Sequence, residues 1–161
     1  MSRLEVDTEG WPEGTNWAEA AGHALTATKD VEPLLANPRL SVSVLFTTDE
    51  EVRALNGRWR GKEKATNVLS FPMVSRAELA VLSPEGPPEM LGDIALAYET
   101  CAAEAAEKGV PLEHHAVHLL IHGFLHLAGH DHGEDDQANT MERLEITALA
   151  KLGIADPYGN S

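Results

Sequence analysis

Residues 122–132 read HGFLHLAGHDH, and the spacing H-x3-H-x5-H constrains this chain more than any other feature. His122 and His126 stand four residues apart in a helical pattern. That puts them on one face with β-carbons about 5–6 Å apart, near enough for two imidazoles to share one small cation. Gly129 follows, free to take positive φ, end the helix and turn the chain back, which returns His132 as a third ligand. Three neutral imidazoles without thiolate or carboxylate suit zinc, one ion per chain. Three protein ligands also leave the fourth tetrahedral position open, as in catalytic rather than structural sites. All of the eight histidines but His23 fall between His114 and His132, a clustering that core packing does not explain. The competing reading is a histidine-rich surface or a store of metal without chemistry. His114 and His118 continue the i, i+4 stripe; with His115 and His130 they are read as neighbours of the ligands or as solvent-facing. Asp131 is placed either to orient a ligand imidazole or simply in solvent.

The histidines sit in an element that has to be central. Leu112 to Leu127 is apolar around nearly its whole circumference, with Pro111 suited to a first turn, so the spacing predicts a buried helix whose ligands grow from the core. Around it, residues 1–38 form an N-terminal helical and strand segment, with an alanine-rich helix from about Trp17 to Thr28 that breaks near Pro33 and Pro38. SVSVLF, residues 41–46, alternates as a strand, and Thr48 with Glu51 signs a capping box for a helix running to about Trp59. Val68–Phe71 is a second strand closed by Pro72, and Asp93–Ala97 a third. The stretch between them ends in a proline-rich loop able to border a cleft. YETCAAEAAEK, residues 98–108, is helical up to Gly109, and a last helix runs from about Gln137 to Leu152 and stops at Gly153. Residues 154–161 are expected to fray.

The length of 161 residues fits one catalytic domain. The chain has no apolar run long enough for a membrane span and no signal-peptide layout, and the single Cys101 excludes an internal disulfide; the expectation is a cytoplasmic protein with a packed thiol. A net charge of −14 argues against broad, charge-driven binding of nucleic acid. Yet Arg58, Arg60, Lys62 and Lys64, four of the twelve basic residues, crowd into RWRGKEK and leave room for a local phosphate contact.

The histidine segment also follows the zinc-peptidase pattern H-E-x-x-H-x-x-G-x-x-H, except that Gly123 stands where those enzymes carry their glutamate general base. Without it, peptide hydrolysis lacks its proton acceptor, and phosphodiester cleavage, in which a metal and an arginine share the charge, becomes the better reading. Asp93 is read evenly as a catalytic or a backbone-capping residue. Of Glu142 and Glu145, one is placed to hydrogen-bond a histidine ligand, although a solvated helix face is the commoner fate.

HGFLHLAGHDH, taken with LNGRWRGKEKATNVLSFP at 55–72, LGDIALA at 91–97 and MERLE at 141–145, resembles the YbeY family of single-strand-specific endoribonucleases. The resemblance spans about residues 40–153. It implies an α/β (α+β) fold: a small mixed four-stranded sheet packed with about five or six helices, the ligand-bearing helix buried at its centre. It implies zinc on His122, His126 and His132 and an essential Arg60. It further implies cleavage of single-stranded RNA in 16S rRNA 3′-end maturation and ribosome quality control, on or near the ribosome. Because the body is acidic, a ribosomal protein or an assembly GTPase is expected to supply part of the affinity. Asn67 departs from the aspartate common in the family's T-D-V-L-S-F-P, and His130 from a common tyrosine; His130 raises the prospect of a nearby proton shuttle. Two other functions remain open on the residues alone: a small metallopeptidase-like zinc hydrolase, and a ribosome-associated factor with a structural zinc.

Overall fold

The computed structural model describes residues 3–60, 66–131 and 134–158; for Trp59 and Arg60 only the backbone is described. The elements in order are β1 (Arg3–Thr8), α1 (Trp17–Val31), a 3-10 turn (Pro33–Ala36), β2 (Leu40–Thr47), α2 (Asp49–Arg60), β3 (Val68–Pro72), α3 (Arg76–Ala80), β4 (Glu89–Ala97), α4 (Tyr98–Lys108), α5 (Leu112–Leu127) and α6 (Asp135–Lys151). The sheet is four-stranded and mixed, in the order β1-β2-β4-β3, with β1, β2 and β4 parallel and β3 antiparallel to β4. This is the expected α+β class, with six α-helices among the described residues.

Alternation along β2 sorts the sheet into two faces. Leu40, Val42, Val44 and Phe46 enter the main core, while Leu45 packs with Val52, Leu55, Leu69, Phe71 and Ala95 beneath α2. The main core is closed by α1, α5 and α6, and Phe46 is walled by Trp11 and Trp17 with ring centroids 5.0 and 5.3 Å away. Trp11 joins it because its indole Nε1 donates to the Thr47 carbonyl at 2.8 Å, which satisfies the one polar atom of a buried ring.

Several local signals hold. Thr48 accepts from the Glu51 amide at 3.2 Å to cap α2. Glycines at positive φ end three helices, at Gly109, Gly129 and Gly153. Each forms the six-to-one and five-to-two bond pair of a Schellman motif; at Gly129 these run from His130 N to Leu125 O at 3.0 Å and from Gly129 N to His126 O at 2.9 Å. Other expectations shift. β4 begins at Glu89 rather than Asp93, because Glu89 and Met90 pair with Leu40 and Ser41 before a bulge at Leu91 of β4. Asp93 is therefore mid-strand, with no backbone to cap. The stretch between β3 and β4, whose second half is the expected proline-rich loop, opens with α3, under a full capping box made by Ser75 and Glu78. β1 pairs with β2 although its sequence, RLEVDT, is half charged; only one side of this edge strand meets the core. Cys101 is fully buried, as expected.

α5 lies unusually close to the sheet, and two glycines permit it. A β-carbon on Gly123 would come within 2.9 Å of Ile94 Cδ1, and one on Gly92 within 2.5 Å of the Phe71 carbonyl oxygen and 2.7 Å of Leu127 Cδ2. The Gly92 contact is with backbone and cannot relax by a rotamer change. Gly92→Ala should therefore cost about 2 kcal/mol or more and lower Tm by roughly 4–8 °C in a thermal melt; an unchanged Tm would refute this account of the β3–β4–α5 junction.

Candidate metal centre

α5 presents His118, His122 and His126 in one i, i+4 row. His122 and His126 have ring centroids 5.3 Å apart at 62°, as two ligands of one ion require. The turn at Gly129 then leads toward His132, which lies outside the described residues. Among the described residues no three His, Cys, Asp or Glu side chains are grouped to hold a metal, so the described part of the expected ligand set is the His122–His126 pair. Arg60 ends α2, and its side chain is likewise outside the described part.

The deciding feature of the surroundings is Glu145, which is fully buried. Its Oε2 lies 2.7 Å from His122 Nδ1, and its Oε1 lies 2.8 Å from His118 Nε2 and accepts from the Tyr158 hydroxyl at 2.6 Å. Burial opposes its charge, yet hydrogen bonds from His118, His122 and Tyr158 and attraction from His122 hold the carboxyl down at about 2. An ionised carboxylate only accepts, so both imidazole nitrogens facing it carry protons. His122 is thereby fixed as the tautomer whose unprotonated nitrogen is Nε2, the arrangement in which a metal-binding histidine gives its other N–H to a carboxylate. The site thus fits an imidazole-bound zinc. Of the two glutamates weighed on the last helix, Glu145 is the one that reaches His122, an expected ligand, and its neighbours carried the signal: Met141, Glu145, Ala148 and Leu149 are the buried residues of α6, an i, i+4, i+7, i+8 stripe with a carboxylate inside it.

The other histidines separate by role. His130 Nε2 lies 2.7 Å from Glu32 Oε1. Arg76 Nη1 donates to the same Glu32 oxygen at 2.7 Å and to the Ala128 carbonyl at 2.9 Å. Burial raises the Glu32 pKa, but the bonds from Arg76, the Leu34 amide and His130 outweigh it and leave the carboxyl below its usual value. This ion cluster ties the turn after α5 to α3 and to the end of α1. A β-carbon on Gly129 would stand 2.5 Å from Arg76 Cβ, so the same turn needs glycine for space as well as for its φ of 97°. Nothing in the sequence spacing links Glu32 to residues nearly a hundred positions away. His114 is exposed, as one of the two readings held, and Asp131 is exposed as well.

His115 Nε2 and Asn67 Nδ2 both lie on Glu104 Oε1, at 2.8 and 3.0 Å. Burial lowers the His115 pKa more than Glu104 restores it. An aspartate at position 67 would set two carboxylates against each other here, which explains why an amide suits this chain. Asn67, Glu104, His115, His118, His122 and Tyr158 border one cavity of about 430 Å³. Asp93 lies elsewhere: it lines a separate groove of about 380 Å³ with Asp7, Leu55 and Phe71 on the α2 side of the sheet, where desolvation raises its pKa.

Across residues 6–153 the chain matches the family model described as Endoribonuclease YbeY. It belongs to the endoribonuclease YbeY family. Similar curated proteins carry that name: one from Erythrobacter litoralis is 65% identical over 98% of both chains, and one from Novosphingobium aromaticivorans is 54% identical over 96% of this chain and 95% of its own. The solution structure of TM1509 from Thermotoga maritima superposes with a TM-score of 0.58 at 19% identity, over 99% of this chain and all of that one, which supports the fold. The YbeY match contains His122, His126, His132, Arg60 and Glu145 and stops before Tyr158. The tail expected to fray thus contributes a hydroxyl to the site from outside the matched residues, held by an Asp156 Oδ1 bond to the Tyr158 amide at 2.8 Å.

If Glu145 sets the His122 tautomer, Glu145→Gln, which keeps the volume and removes the charge, should weaken zinc binding by about 10–100-fold. Competition with a chromophoric chelator measures this, and the melting of the metal-free protein shows whether the fold is kept. Unchanged zinc affinity in a folded variant would remove Glu145 from the site.

Proposed function

We propose that this YbeY-family member is a zinc-dependent endoribonuclease that hydrolyses phosphodiester bonds of single-stranded RNA. The observation that carries the reading is the Glu145–His122 bond, which presents Nε2 of a half-buried imidazole beside His126 on the most deeply packed helix of the fold. His122, His126 and His132 would hold the zinc. When bound, that ion supplies a Lewis acid for the phosphate and lowers the pKa of water near it.

The chain's own residues supply the rest. Glu145 keeps the His122 ring in one orientation, and the Glu32–Arg76 pair holds the turn that precedes His132. Arg60, in the basic stretch at the end of α2, is assigned to neutralise the phosphodiester as charge develops on its oxygens, a task for which a guanidinium's paired donors are suited. Gly123 supports nuclease over peptidase chemistry: a glycine stands where the peptidases carry their general base, and position 123 faces Ile94 of the sheet. The nucleophile is water or the ribose 2′-hydroxyl, and a 2′,3′-cyclic phosphate end would exclude direct attack by water.

We assign the cellular role to 16S rRNA 3′-end maturation and ribosome quality control in the cytoplasm. No helix among the described residues is long and apolar enough to cross a membrane. With a net charge of −14 the body repels RNA outside the basic stretch, so a ribosomal protein or an assembly GTPase is the fitting source of added affinity.

Cleavage of a single-stranded RNA by the zinc-loaded protein should fall by about 100-fold or more in His126→Ala and in Arg60→Ala, each verified as folded. Equal cleavage by all three proteins would mark a contaminating nuclease or a misplaced site, and no cleavage by the unaltered chain would count against the enzyme itself.

A further inference from the structure

Resting on the endoribonuclease reading, we propose that the cavity beside His122 is a subsite for one unpaired nucleobase of the RNA, with Tyr158 as its stacking platform. The cavity, about 430 Å³, begins at His122 and runs along α5 between the start of β3, α4 and the C-terminal tail. That volume is in the range of small-ligand pockets and accommodates a nucleoside.

Its lining separates the parts of a nucleotide. Glu104 and Glu107 border the end away from His122, with Lys108 as the cation nearby, so a phosphate is repelled there and belongs at the metal end. A base is not repelled. Glu104 Oε1 is occupied by Asn67 and His115, yet its side chain is 34% exposed and its second oxygen remains to accept from a base's N–H groups. Val68 and Leu119 supply apolar wall.

Tyr158 is the unusual member. It is 44% exposed, a large ring at the cavity rim, but its hydroxyl is anchored on Glu145 at 2.6 Å and its ring meets His118 edge-on at 5.4 Å and 88°. Burial and the Glu145 charge raise its pKa, so the hydroxyl stays a donor and the anchor persists. A ring fixed at one edge and open elsewhere stacks a base at little entropic cost. Only a base that has left its helix can enter such a cavity, so the subsite itself selects single strands, and stacking makes that selection tolerant of sequence.

The test uses the zinc-loaded full chain carrying Arg60→Ala, to hold RNA without cutting it. Its binding to a fluorescein-labelled 12-nucleotide single strand and to the matching duplex is compared with that of the same protein with Tyr158→Ala or Tyr158→Phe added. We expect Tyr158→Ala to weaken single-strand binding about tenfold, Tyr158→Phe to stay within about twofold because the ring survives, and duplex binding to be the same in all three. Single-strand binding unaltered by Tyr158→Ala overturns the proposal, as does the absence of single-strand binding in the parent. Equal loss in Tyr158→Phe and Tyr158→Ala also overturns it, since the hydroxyl's hold on Glu145 would then be the whole role of the residue. Cleavage by the chain without Arg60→Ala is scored separately, so a failed subsite and a failed nuclease reading give different results.

Discussion

A fully buried carboxylate organises this molecule. Glu145 sits within the apolar stripe of α6, where an unpaired charge would cost several kcal/mol and would be protonated instead. It stays ionised because three donors converge on it, two imidazoles from α5 and a phenol from the tail. Each donor fixes something else: the docking of α6 on α5, the tautomer of His122, and the path of the last residues. Removing a partner would leave the charge uncompensated, at a cost of roughly 3–5 kcal/mol, so the interaction that prepares the site also enforces the helix packing around it. Stability and function are coupled at one side chain.

The second constraint is space. Gly92 and Gly123 let α5 settle against β4 and β3, and Gly129 lets the chain reverse beneath Arg76. Close approach has a local consequence, because position 123, next to His122, faces Ile94 of β4, and a side chain there would have to displace it. Rigid placement matters since a ligand set must hold its angles before the metal arrives, and the Glu32–Arg76–His130 cluster extends that rigidity past the end of the helix.

Local rules explain what was legible beforehand. The ligand helix, its end at Gly129, the α4 limits at Tyr98 and Lys108 and the cap at Thr48 follow from periodicity, glycine and side-chain acceptors within a few residues of each other. Strand β1 was expected only as part of residues 1–38, without bounds, because an edge strand with one half-buried side carries only a weak alternation. The start of β4 was missed where pairing to β2 outweighed a proline-rich composition, and α3, which precedes the prolines, rests on a capping box that was not read. The partners of the site were harder still. Glu32 with His130, Glu104 with Asn67, and Tyr158 with Glu145 join residues through the fold rather than along the chain, and no spacing rule encodes them. Glu145 alone had a local sign, a charge in a buried stripe, and that sign outweighs the usual solvated fate of a helix glutamate once the apolar residues beside it are counted.

On the proposed reading, selectivity for unpaired RNA would follow from two unlike surfaces. α2 ends within the basic stretch RWRGKEK, which precedes Asn67 and Val68 in the chain, and these two border the cavity at the head of β3. The basic stretch would attract phosphate, and Glu104 and Glu107 at the cavity would repel it. A duplex offers phosphates on its outside and hides its bases, so it gains the attraction and cannot use the cavity. A single strand can turn its phosphate to the basic end and its base inward. On an acidic body, where general electrostatic attraction is lacking, that difference would decide which RNA remains bound long enough to be cut.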